Sequence, residues 1–258
     1  MLAGVMAVVA GVMAVVAGVL VLRAGGSARA HLISRGVKVD GQVYPYAVYL
    51  PPGYSAQRAW PLVVFLHGRG ESGTDGRKML TQGLAPALEA EPGRWPAVVL
   101  FPQKPSEDSQ WEEHEGAVVR MLEEVRRRWR IDASRIYLTG LSQGGHGTWV
   151  LGARLPQLWA ALVPVCGFAA ARGGGDAAFR GSAAQLGETV AHLPVWAFHG
   201  EDDDVIPVAE SRALVAAHTA AGGSSRLTLY PQVGHNSWER AYREPELAPW
   251  LLSQTRGE

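Results

Sequence analysis

A serine lies between two glycines where a strand-like segment gives way to a helix-like one. Gly140-Leu-Ser142-Gln-Gly144 matches the G-x-S-x-G pattern, which arises by chance about 0.2 times in a chain of this length and composition. Residues 135–139 before it form a strand-like segment, and residues 146–155 after it form a helical block, the context that a nucleophile elbow requires. The crowded turn of such an elbow accepts only glycine two positions on either side. We therefore predict Ser142 as a nucleophile at the carboxyl edge of a sheet.

A serine hydroxyl is a weak nucleophile at neutral pH, so it needs a general base, and the base needs an orienting acid. In this architecture the acid precedes the histidine in the chain. His218 lies within a predicted helix, whereas His235 lies in a loop just after a predicted strand, which favours His235 as the base. The acid is expected among the four consecutive acidic residues 201–204. Their spacing alone does not choose one of them.

The oxyanion of acyl transfer needs two backbone N–H donors. One is expected from Gln143, the residue after the nucleophile, and the other from an earlier loop. His67-Gly-Arg-Gly70 follows the apolar residues 61–66, and its glycines would let the main chain approach a substrate closely. The alternative interpretation of His67 and Gly68 is a plain turn at the end of a strand.

Strand-like and helix-like segments alternate from Val43 onward. The predicted strands are residues 43–50, 61–66, 97–101, 135–139, 160–165, 195–198 and 226–230. The predicted helices are an apolar stripe at Val118, Leu122, Val125 and Trp129, residues 208–221, and a short last helix with Leu247, Trp250 and Leu251. This alternation predicts an α/β fold with a mostly parallel central sheet and helices on both faces. Residues 169–187, rich in Gly and Ala, lack a period and are predicted as a surface excursion where a cap or lid would lie.

Composition excludes several classes of protein. The chain has 258 residues, 47% of them apolar, and 24 basic against 24 acidic side chains. It is too apolar for a disordered protein and lacks the basic excess of a nucleic-acid-binding one. The single cysteine, Cys166, excludes an internal disulfide and a C-x-x-C site, and we predict that it is buried as a small apolar residue. Nothing in the sequence calls for a metal or another cofactor.

The first 30 residues differ from the rest. Residues 2–22 carry no polar side chain, and Ala28 and Ala30 fit the small-residue rule for signal cleavage. We predict residues 1–30 as a signal peptide or membrane anchor, and residues 31–258 as one catalytic domain that is exported or anchored. Basic residues follow the apolar run instead of preceding it, which is unusual for a signal peptide. The alternative is a mis-assigned start, which would make the protein cytoplasmic.

Four segments together resemble a known family. They are residues 54–75, 135–149, 195–208 and 234–254, which lie in collinear order within residues 43–258. They resemble the oxyanion loop, elbow, acid loop and C-terminus of bacterial α/β-hydrolases of the predicted-peptidase and phospholipase/carboxylesterase-like type. Feruloyl-esterase-like and polyhydroxybutyrate-depolymerase-like enzymes are related to that family. The resemblance implies the α/β-hydrolase fold and serine hydrolase chemistry.

The resemblance also implies roles for single residues. The family pattern His-Gly-x-x-Asp-x-x-Val-Pro places the acid at Asp203, with Ile206 in place of the usual Val. It places the oxyanion donors at the backbone N–H groups of Arg69 and Gln143. Many relatives have Ala where Arg69 stands, which is tolerable because only the main chain is needed. Residues 169–187 look longer than the corresponding family segment.

The expected activity is hydrolysis of a carboxylic ester by Ser142, Asp203 and His235, without a cofactor. Trp111 and Trp238 are candidates for the wall of a substrate pocket. The expected partner is a small or polymer-linked ester, not a nucleic acid, and contact with a membrane is expected only through residues 1–30. The alternatives are a serine peptidase of the same fold and a non-catalytic binding protein. A membrane-anchored structural protein would rest on residues 1–30 alone.

Overall fold

The computed structural model describes residues 19–22 and 30–257. These residues form one nine-stranded sheet in the spatial order β1-β2-β3-β5-β4-β6-β7-β8-β9. The strands are β1 Val19–Leu22, β2 Ala30–Val39, β3 Gln42–Leu50, β4 Trp60–Leu66, β5 Val98–Pro102, β6 Ile131–Leu141, β7 Ala161–Val165, β8 Val195–Gly200 and β9 Ser225–Tyr230. From β5 to β9 along the sheet, each strand pairs parallel with the next, while the pairs β1–β2, β2–β3 and β3–β5 are antiparallel. This is the α/β-hydrolase architecture, so the predicted fold is confirmed.

Helices cover both faces of the sheet. They are α1 Leu84–Ala90, α2 Glu115–Arg128, α3 Gln143–Arg154, α4 Ala183–Thr189, α5 Ala209–Ala220, α6 Trp238–Ala241 and α7 Leu247–Ser253. Alternate residues of β4 enter two separate cores: Leu62 and Val64 pack into one, Val63 and Phe65 into the other. Because both faces of the strand are buried, its sequence is a continuous apolar run instead of an alternating one.

The first strand of the hairpin formed by β2 and β3 was not predicted from the sequence. Val39 pairs with Gln42, and the two residues between them, Asp40 and Gly41, have φ angles of 49° and 84°. An Asp-Gly pair with positive φ at both positions is a favoured two-residue hairpin turn because its twist matches that of the strands. The Asp40-Gly41 dipeptide is therefore the sequence feature from which β2 could have been predicted.

The N-terminal apolar run lies mostly outside the described residues. Its last four residues, β1, pair antiparallel with residues 30–33. The remainder of the predicted signal peptide or anchor, residues 1–18 and 23–29, is not described. No helix within residues 19–22 and 30–257 is long and apolar enough to cross a membrane.

Residues 169–187 fold against the body of the molecule. The N–H of Ala171 donates to the carbonyl of Phe179 at 2.7 Å, and the N–H of Phe179 donates to Glu112 Oε1 at 2.8 Å. The end of the segment is not irregular, because α4 begins at Ala183 with Ser182 as its N-cap. The predicted excursion is thus an anchored loop followed by the first turn of a helix.

Candidate active site

The turn between β6 and α3 presents Ser142 in a strained conformation. Its φ and ψ are 55° and −115°, a region that L residues adopt only where the surroundings impose it. A Cβ on Gly140 would lie 2.4 Å from the carbonyl oxygen of Gly144, and a Cβ on Gly144 would lie 2.0 Å from that of Leu66. Both contacts are shorter than real Cβ atoms make, so the two motif glycines are required sterically. The N–H of Ser142 donates to the carbonyl of Val165 at 2.9 Å, which ties the turn to the end of β7.

Three side chains predicted from the sequence form one hydrogen-bonded chain. His235 Nε2 lies 2.9 Å from Ser142 Oγ, and His235 Nδ1 lies 2.8 Å from Asp203 Oδ2. Because the carboxylate can only accept, Nδ1 carries the proton and Nε2 is left to accept from the serine hydroxyl. This tautomer is the one that can take up the serine proton. His218 is in α5, and its Nε2 lies 3.2 and 3.0 Å from the carbonyls of Val190 and Leu193 in the turn after α4, away from Ser142.

Four donors hold the Asp203 carboxylate. The N–H groups of Val205 and Ile206 donate to Oδ1 at 2.9 and 2.8 Å, and Oδ2 lies 3.1 Å from His199 Nε2 as well as close to His235. Burial disfavours the charge of this carboxyl, but the hydrogen bonds from His199, His235 and Ile206 outweigh it and hold the pKa of Asp203 well below its usual value. The carboxyl is therefore ionised at neutral pH.

His199 is a site residue that the sequence interpretation placed only at a strand end. Its Nδ1 lies 2.7 Å from Ser211 Oγ, and its Nε2 lies 2.9 Å from the carbonyl of Ile206. Since Nε2 faces the carbonyl and Asp203 Oδ2, it carries the proton, and Nδ1 accepts from the Ser211 hydroxyl. The His-Gly pair at the end of β8, just before an acidic run, was the only signal for this role.

His67 shapes the loop after β4. Its Nδ1 donates to the carbonyl of Gly68 at 2.6 Å, and its Nε2 accepts from the N–H of Lys104 at 3.2 Å. Burial lowers the pKa of His67 to about 3, so the ring is neutral, as both hydrogen bonds require. Trp111 Nε1 donates to the His67 carbonyl at 3.0 Å from below the loop.

The predicted oxyanion donors flank Ser142. Gln143 is the first residue of α3, so its N–H has no acceptor within the helix. Arg69 begins a 3₁₀ turn in the loop after β4, and both residues line the same cleft as Ser142. The Arg69 guanidinium pairs with Glu107 and Asp108, at 3.3 and 3.0 Å, and these two acids also line the cleft.

The cleft above Ser142 has a volume of about 740 Å³. Its apolar wall is made by Leu141, Phe168, Val205, Ile206 and Trp238. The Trp238 ring stands edge-on to His235 with centroids 5.3 Å apart. Of the two tryptophans proposed for the pocket, Trp238 lines it and Trp111 does not. Trp111 is only 1% exposed, because its ring fills the space beneath the loop after β4.

A buried pair, Glu112 and His146, connects the elbow helix to the cleft wall. His146 Nε2 lies 3.1 Å from Glu112 Oε1, and Nδ1 lies 3.0 Å from the carbonyl of Phe168. Both nitrogens of His146 face acceptors, whereas Glu112 Oε2 is buried without a hydrogen-bond partner. Burial disfavours the charge of Glu112, but the hydrogen bond from His146 and the charge of that ring lower the pKa of Glu112 overall. The His146 ring also stacks on Phe168, with centroids 4.6 Å apart.

One group of metal-ligating side chains occurs in the described chain, at Cys166, Asp203 and His235. Their ligating atoms lie within 4.8 Å of one another. The Asp203 oxygens and both nitrogens of His235 are already engaged with each other and with Ser142. Cys166 is fully buried, as predicted, and burial raises the pKa of its thiol. This donor set fits the hydrogen-bonded chain, with a neutral thiol packed beneath it, better than a metal ion.

The chain is similar to known proteins in sequence and in fold. The sequence model described as phospholipase/carboxylesterase matches residues 94–244, and no curated protein matches the chain. A solved thermostable esterase is 32% identical, with a TM-score of 0.70, over 87% of this chain and 63% of that one. The chain therefore spans less than two thirds of that esterase.

More distant structures share the fold. A ferulic acid esterase from Anaeromyces mucronatus, solved with ferulic acid, is 16% identical with a TM-score of 0.67, over 90% of this chain and 93% of that one. An acylaminoacyl peptidase is 15% identical with a TM-score of 0.64, over 87% of this chain and 42% of that one. Identities this low establish similarity of fold alone.

Proposed function

The chain belongs to the phospholipase/carboxylesterase family of α/β-hydrolases, and we propose that it hydrolyses carboxylic esters through a covalent acyl-enzyme on Ser142. The observation that carries the proposal is the position of His235, whose two nitrogens lie 2.9 Å from Ser142 Oγ and 2.8 Å from Asp203 Oδ2. A serine on a strained elbow with a base and an acid in line has the arrangement that acyl transfer needs.

In the first half of the reaction, Ser142 Oγ attacks the ester carbonyl carbon while His235 Nε2 takes the hydroxyl proton. The ionised Asp203 stabilises the imidazolium that results. The tetrahedral intermediate collapses as His235 returns the proton to the leaving alcohol, which leaves an ester on Ser142. Water then attacks this ester with His235 again as base, and the carboxylic acid departs.

The negative charge that develops on the carbonyl oxygen is held by the N–H groups of Arg69 and Gln143. Two features support this assignment: Gln143 is at the unpaired N-terminus of α3, and His67 fixes the carbonyl of Gly68 next to Arg69. Donors fixed before the reaction cost no reorganisation in the transition state.

The substrate class is inferred from the cleft wall. Phe168, Ile206 and Trp238 supply apolar surface beside Ser142, and a cleft of about 740 Å³ has the size of a small-molecule site. An ester with an aryl or short acyl group fits this chemistry. Feruloyl esters belong to the first compounds to test, because a ferulic acid esterase shares the fold.

The test compares the full chain with Ser142→Ala on p-nitrophenyl esters of short and long acids, methyl ferulate and an aminoacyl anilide. We expect ester turnover in the wild type and a loss of about 10⁴-fold or more in the variant, because the nucleophile is gone. Anilide turnover above ester turnover would favour a peptidase instead. A folded wild type that turns over nothing, or a variant that retains its rate, would contradict the proposal.

A further inference from the structure

A second cavity lies away from Ser142, between β2 and α2, and its volume is about 420 Å³. Arg35 comes from the strand, and Arg120, Glu124 and Arg128 come from the helix. Lys38 also borders the cavity, but its side chain projects from the other face of β2, because Val37 and Val39 are the residues that face α2 and side chains alternate along a strand. Tyr46 of β3 lies opposite Arg35 in the strand register and also lines the cavity. None of these residues takes part in the chemistry at Ser142.

The cavity has an excess of positive charge. Three arginines, Arg35, Arg120 and Arg128, contribute their side chains, and the one carboxylate among the lining residues, Glu124, is already paired. Glu124 lies 3.5 Å from Arg120 and 3.1 Å from Arg128, and a third arginine outside the cavity, Arg127, lies 2.7 Å from it. The nearby Glu123 bonds to Arg120 at the surface. No described carboxylate pairs with Arg35 or Lys38.

The side chain of Arg35 gives the strongest evidence that the cavity binds a ligand. Its Nε is buried and has no hydrogen-bond partner. A buried donor that is left unpaired costs free energy that a bound acceptor would recover. The neighbouring Tyr46 ring is 1% exposed, and its hydroxyl makes no hydrogen bond to a described residue.

We propose that the cavity between β2 and α2 binds a small phosphoryl compound with two or more negative charges. The guanidinium of Arg35 forms the base of the site, Arg120 and Arg128 face the anion from the helix, and the Tyr46 hydroxyl donates one hydrogen bond. Planar guanidinium groups match the oxygen spacing of phosphate. A multiply charged group is favoured because the cations outnumber the single paired carboxylate, and the volume accommodates a phosphate or pyrophosphate group.

The experiment titrates the full chain with pyrophosphate and inorganic phosphate by calorimetry. The test variants are Arg35→Gln and Arg128→Gln, and the control is Arg127→Gln, which loses the same charge and contacts the same Glu124 but does not line the cavity. We expect saturable 1:1 binding, about tenfold weaker in each test variant and unchanged in the control. The Arg128 side chain is 40% exposed, so its variant remains informative if Arg35→Gln does not fold.

Several outcomes would overturn the proposal. They are the absence of saturable binding, equal weakening in all three variants, and full affinity in both test variants. Equal weakening would indicate diffuse surface charge. Binding only to vesicles that contain anionic phospholipid, and not to soluble pyrophosphate, would replace the small ligand with a lipid surface.

Discussion

At the scale of single residues, the Asp203 carboxylate is held by its other hydrogen-bond donors as well as by His235. His199 lies on the far side of the carboxylate, with Nε2 at 3.1 Å from the same Oδ2 that faces His235. It is fully buried, so water does not replace its hydrogen bond when the ring is removed. We therefore regard His199 as a positioning residue for the acid.

Replacing His199 tests this role. In His199→Leu we expect kcat to fall about tenfold with little change in KM, since one charge-assisted hydrogen bond to Asp203 is lost. The pKa of Asp203 should rise, because its charge loses one hydrogen-bond donor. Ser211→Ala is the control, because it removes the bond to the other nitrogen of His199 and leaves Asp203 untouched. An unchanged kcat in His199→Leu, or an equal fall of kcat in Ser211→Ala, would assign His199 to packing alone.

Residue-scale inference from sequence worked where the signal is local. The elbow is encoded within five residues, so Ser142 could be identified, and the order of acid and base favoured His235 over His218. Spacing could not choose within residues 201–204, because the choice depends on which carboxylate the turn after β8 aims at His235. Trp111 was misplaced for a related reason, since the direction of a side chain depends on packing that no short pattern records.

At the scale of elements, the Glu112–His146 pair joins three parts of the fold. His146 belongs to α3, Glu112 precedes α2, and Phe168 leads into the loop that ends at α4. Glu112 Oε1 also accepts from the N–H of Phe179 in that loop. One buried pair thus fixes the elbow helix, the apolar cleft wall and the anchored loop together.

Breaking the pair should affect stability and substrate binding at once. In Glu112→Ala we expect the free energy of unfolding to fall by about 3 kcal/mol, because the variant leaves buried hydrogen-bond partners unsatisfied. We expect Tm to fall by about 6–12 °C. KM for aryl esters should rise as Phe168 loses its support. The control is Glu115→Ala, whose partly exposed pair with Arg154 at 3.6 Å should be worth less than about 1 kcal/mol. Equal losses of Tm in the two variants would contradict this account.

The elements themselves were predictable to different degrees. Strands buried on both faces stand out as apolar runs, so β4, β5, β7 and β8 were found near their observed limits. The half-exposed β2 has no such run and depends on its hairpin turn. The loop after Phe168 is held by contacts with Glu112 and Glu113, which are distant in sequence, so its fold could not be foreseen.

At the scale of the whole molecule, parallel strands bring the distant site residues to one edge of the sheet. Ser142, Asp203 and His235 follow β6, β8 and β9, and His67 follows β4. This edge therefore holds one buried carboxylate that must stay charged and one buried imidazole that must stay neutral. Both requirements make global stability depend on pH in the same direction.

The last prediction concerns that dependence. The folded pKa of His67 is about 3, below its ordinary value near 6.5, so between these values the unfolded chain binds a proton that the folded chain does not. Stability should therefore fall as pH falls from 6.5 to 3, by about 1.4 kcal/mol per pH unit for this group. The contribution of Asp203, whose folded pKa is also lowered, is lost only as pH falls below about 4.

Urea unfolding of wild type and His67→Gln at pH 7, 6, 5 and 4 measures the contribution of His67 to the free energy of unfolding at each pH. The variant should be less stable at pH 7, and its deficit should shrink as pH falls, whereas the exposed His192→Gln should track the wild type. A deficit in His67→Gln that is constant with pH would show that His67 does not titrate between the two states.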